Sequence, residues 1–145
     1  MKKFFNLLVF VFAVLVPALL FSAAGCLETP ETGGSIVIHI GAERFEVTGT
    51  EHEFIGQVLD ELSETRDLAF SYDTFPPLGR FPYMLGDLQA GSNSFIALYI
   101  SLLEPRWSTP QSRTIDGTAF YFANYGIDGL PVLDGVQYLF VLSTF

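Results

Sequence analysis

Ser35-Ile36-Val37-Ile38-His39-Ile40-Gly41-Ala42-Glu43-Arg44-Phe45-Glu46-Val47-Thr48 is the stretch that decides the fold. Ser35 to Ile40 is a β-branched run, Gly41-Ala42 interrupts it, and in Arg44 to Thr48 the apolar Phe45 and Val47 alternate with charged Arg44 and Glu46. Together the halves predict a β-hairpin. His39 falls on the strand face opposite Ile36, Ile38 and Ile40, the place of an ordinary strand histidine. The period then changes. Phe54, Ile55, Val58, Leu59 and Leu62 recur at three- and four-residue spacing, which predicts one amphipathic helix from Phe54 to Arg66. Thr50, Glu51 and Glu53 suit its N-cap and the positive end of its dipole, and Arg66 suits its last turn. Asp60, Glu61 and Glu64 occupy the opposite arc and read as solvated.

Downstream the pattern is mostly strand. Leu68 to Tyr72 predicts a short strand, and Thr74 to Pro82, with Pro76, Pro77, Gly79 and Pro82, an irregular loop. Phe95 to Leu103 is a nearly continuous apolar run, as expected of a central strand. Glu104 to Gln111 reads as a Pro-bounded loop carrying Trp107. Asp116-Gly117 between Ser112–Ile115 and Thr118–Phe122 is a hairpin signal, because both residues tolerate the positive φ of a type I′ turn. Val136 to Phe145 predicts a closing strand. Hairpin, single helix, then strands is an α+β layout, a mixed sheet packed on one amphipathic helix, β-grasp-like in plan.

Upstream, Lys2 and Lys3 precede an apolar run from Phe4 to Phe21 that ends in small residues and the one cysteine of the chain. This is the three-part layout of an export signal. Ala23-Ala24-Gly25-Cys26 resembles the lipobox of bacterial lipoproteins. That resemblance implies a signal peptide at residues 1–25, lipid attachment at Cys26, a tether over 26–34 and a domain over 35–145. The protein would then sit lipid-anchored on the extracytoplasmic side of the cell membrane. An uncleaved membrane helix is the other reading, since Phe4 to Ala24 is long enough to cross about 30 Å of hydrocarbon at roughly 1.5 Å per residue.

Beyond the signal the chain carries five arginines, no lysine and all 16 carboxylates, a net charge of −11. That sign argues against nucleic acid and against a polybasic membrane contact, leaving lipid as the membrane attachment. With Cys26 given to the anchor no thiol remains for a disulfide, so apolar packing must hold the domain, and Phe and Tyr are accordingly abundant.

A more specific likeness lies at the C-terminal end. Gly126-Ile127-Asp128-Gly129-Leu130-Pro131-Val132-Leu133-Asp134-Gly135-Val136-Gln137-Tyr138-Leu139-Phe140 resembles the ending of bacterial surface domains similar to the C-terminal β-domain of transcobalamin and intrinsic factor. Gly56 to Leu62 and Phe95 to Ser101 resemble that family's helix and aromatic strand. The resemblance implies a lipid-tethered domain that contacts a cobalamin-like or other bulky cofactor.

The chemistry-bearing residues point the same way. His39 and His52 are the two histidines, His52 lies between Glu51 and Glu53, and no spacing supplies three convergent metal ligands. There is no Gly-x-Ser-x-Gly elbow and no phosphate-cradling loop. The expectation is therefore a non-catalytic binding domain without a metal. Its candidate ligand contacts are the aromatics of Pro/Gly loops, Phe75, Tyr83, Trp107 and Tyr125, with Arg106 beside Trp107 able to stack on a planar ring and meet a negative group. Partners of this reading are a small-molecule cofactor and a transporter or envelope protein. The alternative is a structural or protein-interaction module of the cell envelope with no small-molecule ligand.

Overall fold

The computed structural model describes residues 32–145, so the expected signal peptide, Cys26 and residues 26–31 of the tether lie outside the described residues. The domain begins earlier than position 35. Thr32 bridges Leu133, Gly33 N–H donates to Val132 O at 2.8 Å, and the first strand opens at Gly34.

The described residues are mixed α+β, mostly sheet with one helix. The predicted hairpin forms as β1 (Gly34–Ile40) and β2 (Glu43–Thr50), in register from Ile36↔Val47 to Ile40↔Glu43. Helix α1 (Ile55–Thr65) follows, burying Ile55, Val58, Leu59 and Leu62. Its start differs from expectation. Thr50 Oγ1 accepts from His52 N–H instead of capping the helix, and the Gln57 side-chain carbonyl reaches back to accept from the N–H groups of Glu53 and Phe54, both at 3.0 Å. The N-cap donor is thereby met from within the first turn, and the next two, Ile55 and Gly56 N–H, donate to Leu130 O and Ile127 O at 3.1 and 2.8 Å.

The next segment corrects the sequence reading. Thr74 to Pro82 is no irregular loop: β3 (Phe70–Phe75) and β4 (Gly79–Leu85) form a hairpin that a short β5 (Leu88–Gln89) extends to a three-stranded sheet. Tyr83 is thus a strand residue and Phe75 the last residue of a strand. Pro82 is tolerated because the ladder shifts register at its partners, between Ser71 and Tyr72, and because β5 reaches only Met84 and Leu85.

Four further strands, β6 (Ser94–Ile100), β7 (Ser108–Ile115), β8 (Thr118–Ala123) and β9 (Gln137–Thr144), complete a six-stranded sheet in the order β2-β1-β9-β6-β8-β7. β7 begins within the expected 104–111 loop. β1 and β9 are parallel, and the remaining pairs are antiparallel. The Asp116-Gly117 turn forms as predicted, with φ of 50° and 79°.

One face of this sheet, carrying Ile36, Ile38, Ile40, Leu98, Ile100 and Phe140, packs with α1, Leu68 and Leu85 into the main core. Tyr138 is buried there with its hydroxyl satisfied twice, donating to Pro131 O at 2.8 Å and accepting from Leu133 N–H at 2.9 Å. Burial pushes its pKa well above the usual phenol value. These bonds tie the 124–136 connection to β9. On the other face Ala97, Tyr99, Phe120 and Leu139 form a second, smaller core.

Candidate functional site

Three segments far apart in sequence meet at Arg80. Its Nη1 donates to both oxygens of Asp60 on α1, at 2.8 and 3.0 Å. Its Nη2 and Nε donate to Asp128 Oδ1 at 2.8 and 3.0 Å, and its backbone N–H reaches Asp128 Oδ2 at 2.8 Å. The guanidinium also lies 4.9 Å from the Tyr72 ring centroid. Asp60, read from the sequence as a solvated residue, is therefore half of a clamp that joins helix, β3–β4 hairpin and the β8–β9 connection. Glu61 beside it pairs with His52 at 2.7 Å.

The clamp requires missing side chains. A Cβ on Gly56 would stand 2.5 Å from Asp128 Oδ1 and 2.6 Å from Arg80 Nη2. The hydrogen bonds to both carboxylates raise the Arg80 pKa further above its ordinary value. At Asp128 burial acts to raise the pKa, but the side-chain and backbone bonds from Arg80 outweigh it and hold the carboxyl below the usual range.

Above the clamp lies a cleft of about 520 Å³, between the β3–β4 turn, the first half of β6 and the chain leaving β8. Leu78, Phe81, Phe95, Leu98, Phe122 and Tyr125 line it, with Arg80 and Asp128 at its base. The lining is apolar with few polar groups, and the volume lies within the roughly 300 to 1,000 Å³ typical of small-molecule sites.

The sequence-nominated residues divide around this cleft. Tyr125 is half exposed and lines it. Trp107 stands behind Tyr125, ring centroids 5.8 Å apart, and packs against the main core. Arg106 lies 5.7 Å from the Trp107 ring centroid and bonds to Glu104 at 3.2 Å, which lowers the Glu104 pKa. Tyr83 and Phe75 do not line the cleft. Phe75 meets Phe81 edge-on, ring centroids 5.7 Å apart, and Tyr83 is the unpaired extra residue where the β3–β4 ladder shifts register. Phe81 and Leu78, missed in sequence, stand in the stretch taken for a loop, where no periodicity marks them.

The histidines are engaged elsewhere. His39 Nε2 bonds Gln137 Oε1 at 2.8 Å, and its ring meets Phe120 edge-on. Among the described residues no group of three His, Cys, Asp or Glu side chains converges.

No protein-family model and no curated protein matches the chain. Its structure is similar to the crystal structure of a "putative metal binding protein" from Ruminococcus gnavus, at 16% sequence identity and a TM-score of 0.49, over 79% of this chain and 99% of that one.

Proposed function

We propose that this protein is a lipid-anchored cell-surface binding domain that captures a bulky cofactor of the cobalamin class in the cleft between the β3–β4 turn and β6. The observation that carries the reading is the cleft itself: about 520 Å³, walled by Leu78, Phe81, Phe122 and Tyr125. Rigid aromatic walls hold a flat or bulky ligand with little loss of side-chain entropy. A β-grasp-like plan and kinship with the transcobalamin β-domain belong to the same proposal. They are supported by the parallel pair β1 and β9 inside the sheet, the hairpin β1–β2 at one edge and helix α1 packed on one face.

Thermal unfolding of the full chain in mild detergent, with cyanocobalamin, a flavin and a haem as probes, tests the capture reading. A ligand of the native state raises the melting temperature, and Tyr125→Ala and Phe81→Ala should each diminish that rise. No rise with any probe overturns it. The anchor has its own test: Cys26→Ala should leave an unprocessed or released protein, and unchanged membrane association with normal processing would sink it.

A second reading, a protein-interaction module of the envelope, is favoured by the exposed Phe75, Leu78, Phe81 and Tyr83 of one hairpin. Scattered exposed apolar residues are ordinary, but several large ones on one hairpin suit a partner's surface.

A further inference from the structure

The two edges of β6 are paired very unequally. Along one, all of Ser94–Ile100 pairs with β9, from Ser94↔Thr144 to Ile100↔Tyr138. Along the other, β8 pairs only at Tyr99↔Phe122 and Ile100↔Tyr121. The bonds flanking the ladder show which groups are left over. Phe145 N–H donates to Asn93 O at 3.3 Å and Ser101 N–H to Gln137 O at 2.9 Å, so the odd-numbered residues of this stretch bond toward β9. Alternation turns the backbone N–H and C=O of the even-numbered residues to the opposite edge. Ile100 uses its pair on Tyr121. Beyond it β8 leaves for β7, where Ser108 pairs with Ala123 and Asn124 N–H donates to Trp107 O at 2.8 Å. The N–H and C=O of Ile96 and the N–H of Leu98 thus face a gap and have no hydrogen-bond partner among the described residues.

The gap opens on both faces of the sheet. On the helix side it enters the 520 Å³ cleft; on the other it meets a groove of about 490 Å³ lined by Tyr99, Gln111, Arg113 and Ser143, and Phe95 and Phe122 border both. In the groove the Arg113 guanidinium sits 4.5 Å from the Tyr99 ring centroid and donates to its hydroxyl at 3.3 Å. Arg44, Arg80 and Arg106 each pair with a carboxylate, whereas Arg113 forms no ion pair among the described residues.

We propose that an extended peptide joins β6 in this gap as an added strand, bonding to Ile96 and Leu98 and turning alternate side chains to opposite faces, apolar ones into the cleft and a carboxylate onto Arg113. Three features select a polypeptide. Backbone donors and acceptors at strand spacing are met by another extended backbone, and such groups are costly to leave unmet in an apolar setting. A strand's side chains alternate between faces, which matches one volume on each side of the sheet. The unpaired guanidinium of Arg113 selects a carboxylate. The proposal rests on the cleft being a binding site, as argued above, and assigns it an occupant of different chemistry.

The test uses the full chain in mild detergent and a fluorescein-labelled, end-capped hexapeptide of alternating Phe and Glu, with fluorescence anisotropy as the readout. Methylating the backbone nitrogens of one alternate set of residues should weaken binding by about tenfold or more, while methylating the other set is tolerated. Ile96→Pro removes an N–H that the β6–β9 ladder does not use and should weaken binding to a similar extent. Arg113→Gln should weaken the Glu peptide several-fold and leave a Gln-substituted peptide unaffected. If Ile96→Pro fails to fold, the methylated peptides decide alone. No binding at millimolar peptide overturns the proposal, as does binding that ignores methylation of both sets. A cofactor that raises the melting temperature of a chain deaf to the peptide would sink the strand and leave the capture reading standing; silence toward both sinks both.

Discussion

β9 and β8 flank the same strand, yet one side of the sheet is closed and the other is parted. From β2 through β1 and β9 to β6, ladders run nearly unbroken and their inward residues, Ile38, Ile40 and Phe140, are fully buried against α1. From β6 to β8 the ladder holds for two residues, and the space beyond is cleft and groove. Stability is therefore concentrated on one side and access on the other, as is common where a rigid scaffold carries a binding surface.

The comparison makes graded demands on mutants, measured by urea unfolding of the chain. Ile38→Ala, in the closed half, should cost about 3 to 4 kcal/mol, because a buried isoleucine lost from a filled core leaves a cavity. A loss below about 1 kcal/mol would mean that the closed half is not where stability resides. Trp107→Ala lies between the halves, half-buried against the core and stacked on Tyr125, and should cost about 2 kcal/mol. Should it change binding while leaving stability untouched, Trp107 belongs to the open half.

Arg80→Met tests the seam. Both carboxylate partners remain partly exposed to water, so the loss should be roughly 1 to 2 kcal/mol instead of that of a fully buried pair. A pH titration sharpens this. Asp128 has a folded-state pKa below its unfolded value, so its stabilisation is complete above the ordinary aspartate range and is lost as pH falls through the lowered value. Acid should thus destabilise the wild type in that window, and Arg80→Met should flatten the response there. Equal acid sensitivity of the two would remove Asp128 from the seam.

Two smaller effects follow at the periphery. Gly117→Val places a β-branched residue at a φ of 79° and should cost about 1 to 2 kcal/mol. Leu78→Ala, at the exposed lip of the cleft, should fall within about 0.5 kcal/mol of wild type. A larger loss there would show that the lip supports the fold, and the contrast between the halves would fail.

What the sequence determined by itself was what a few runs of neighbouring residues state without conflict. The β-branched run at 35–40, the change to a 3.6-residue period at Phe54 and the Asp116-Gly117 pair each state a local conformation. Hairpin, helix and turn stand within a residue or two of where those signals put them. The β3–β4 hairpin was hidden because Pro76, Pro77 and Pro82 speak against a strand locally, whereas a register shift and a short β5 accommodate one. The clamp was hidden for a stronger reason. Arg80 and Asp128 are 48 residues apart, and no periodicity distinguishes a carboxylate that meets a guanidinium from one that meets water. Tyr125 was legible as a loop aromatic, but Phe81, Leu78 and the unpaired edge at Ile96 and Leu98 were not. A cleft and a parted ladder are properties of where two strands separate, and that is decided only when β8 follows β7 away from β6.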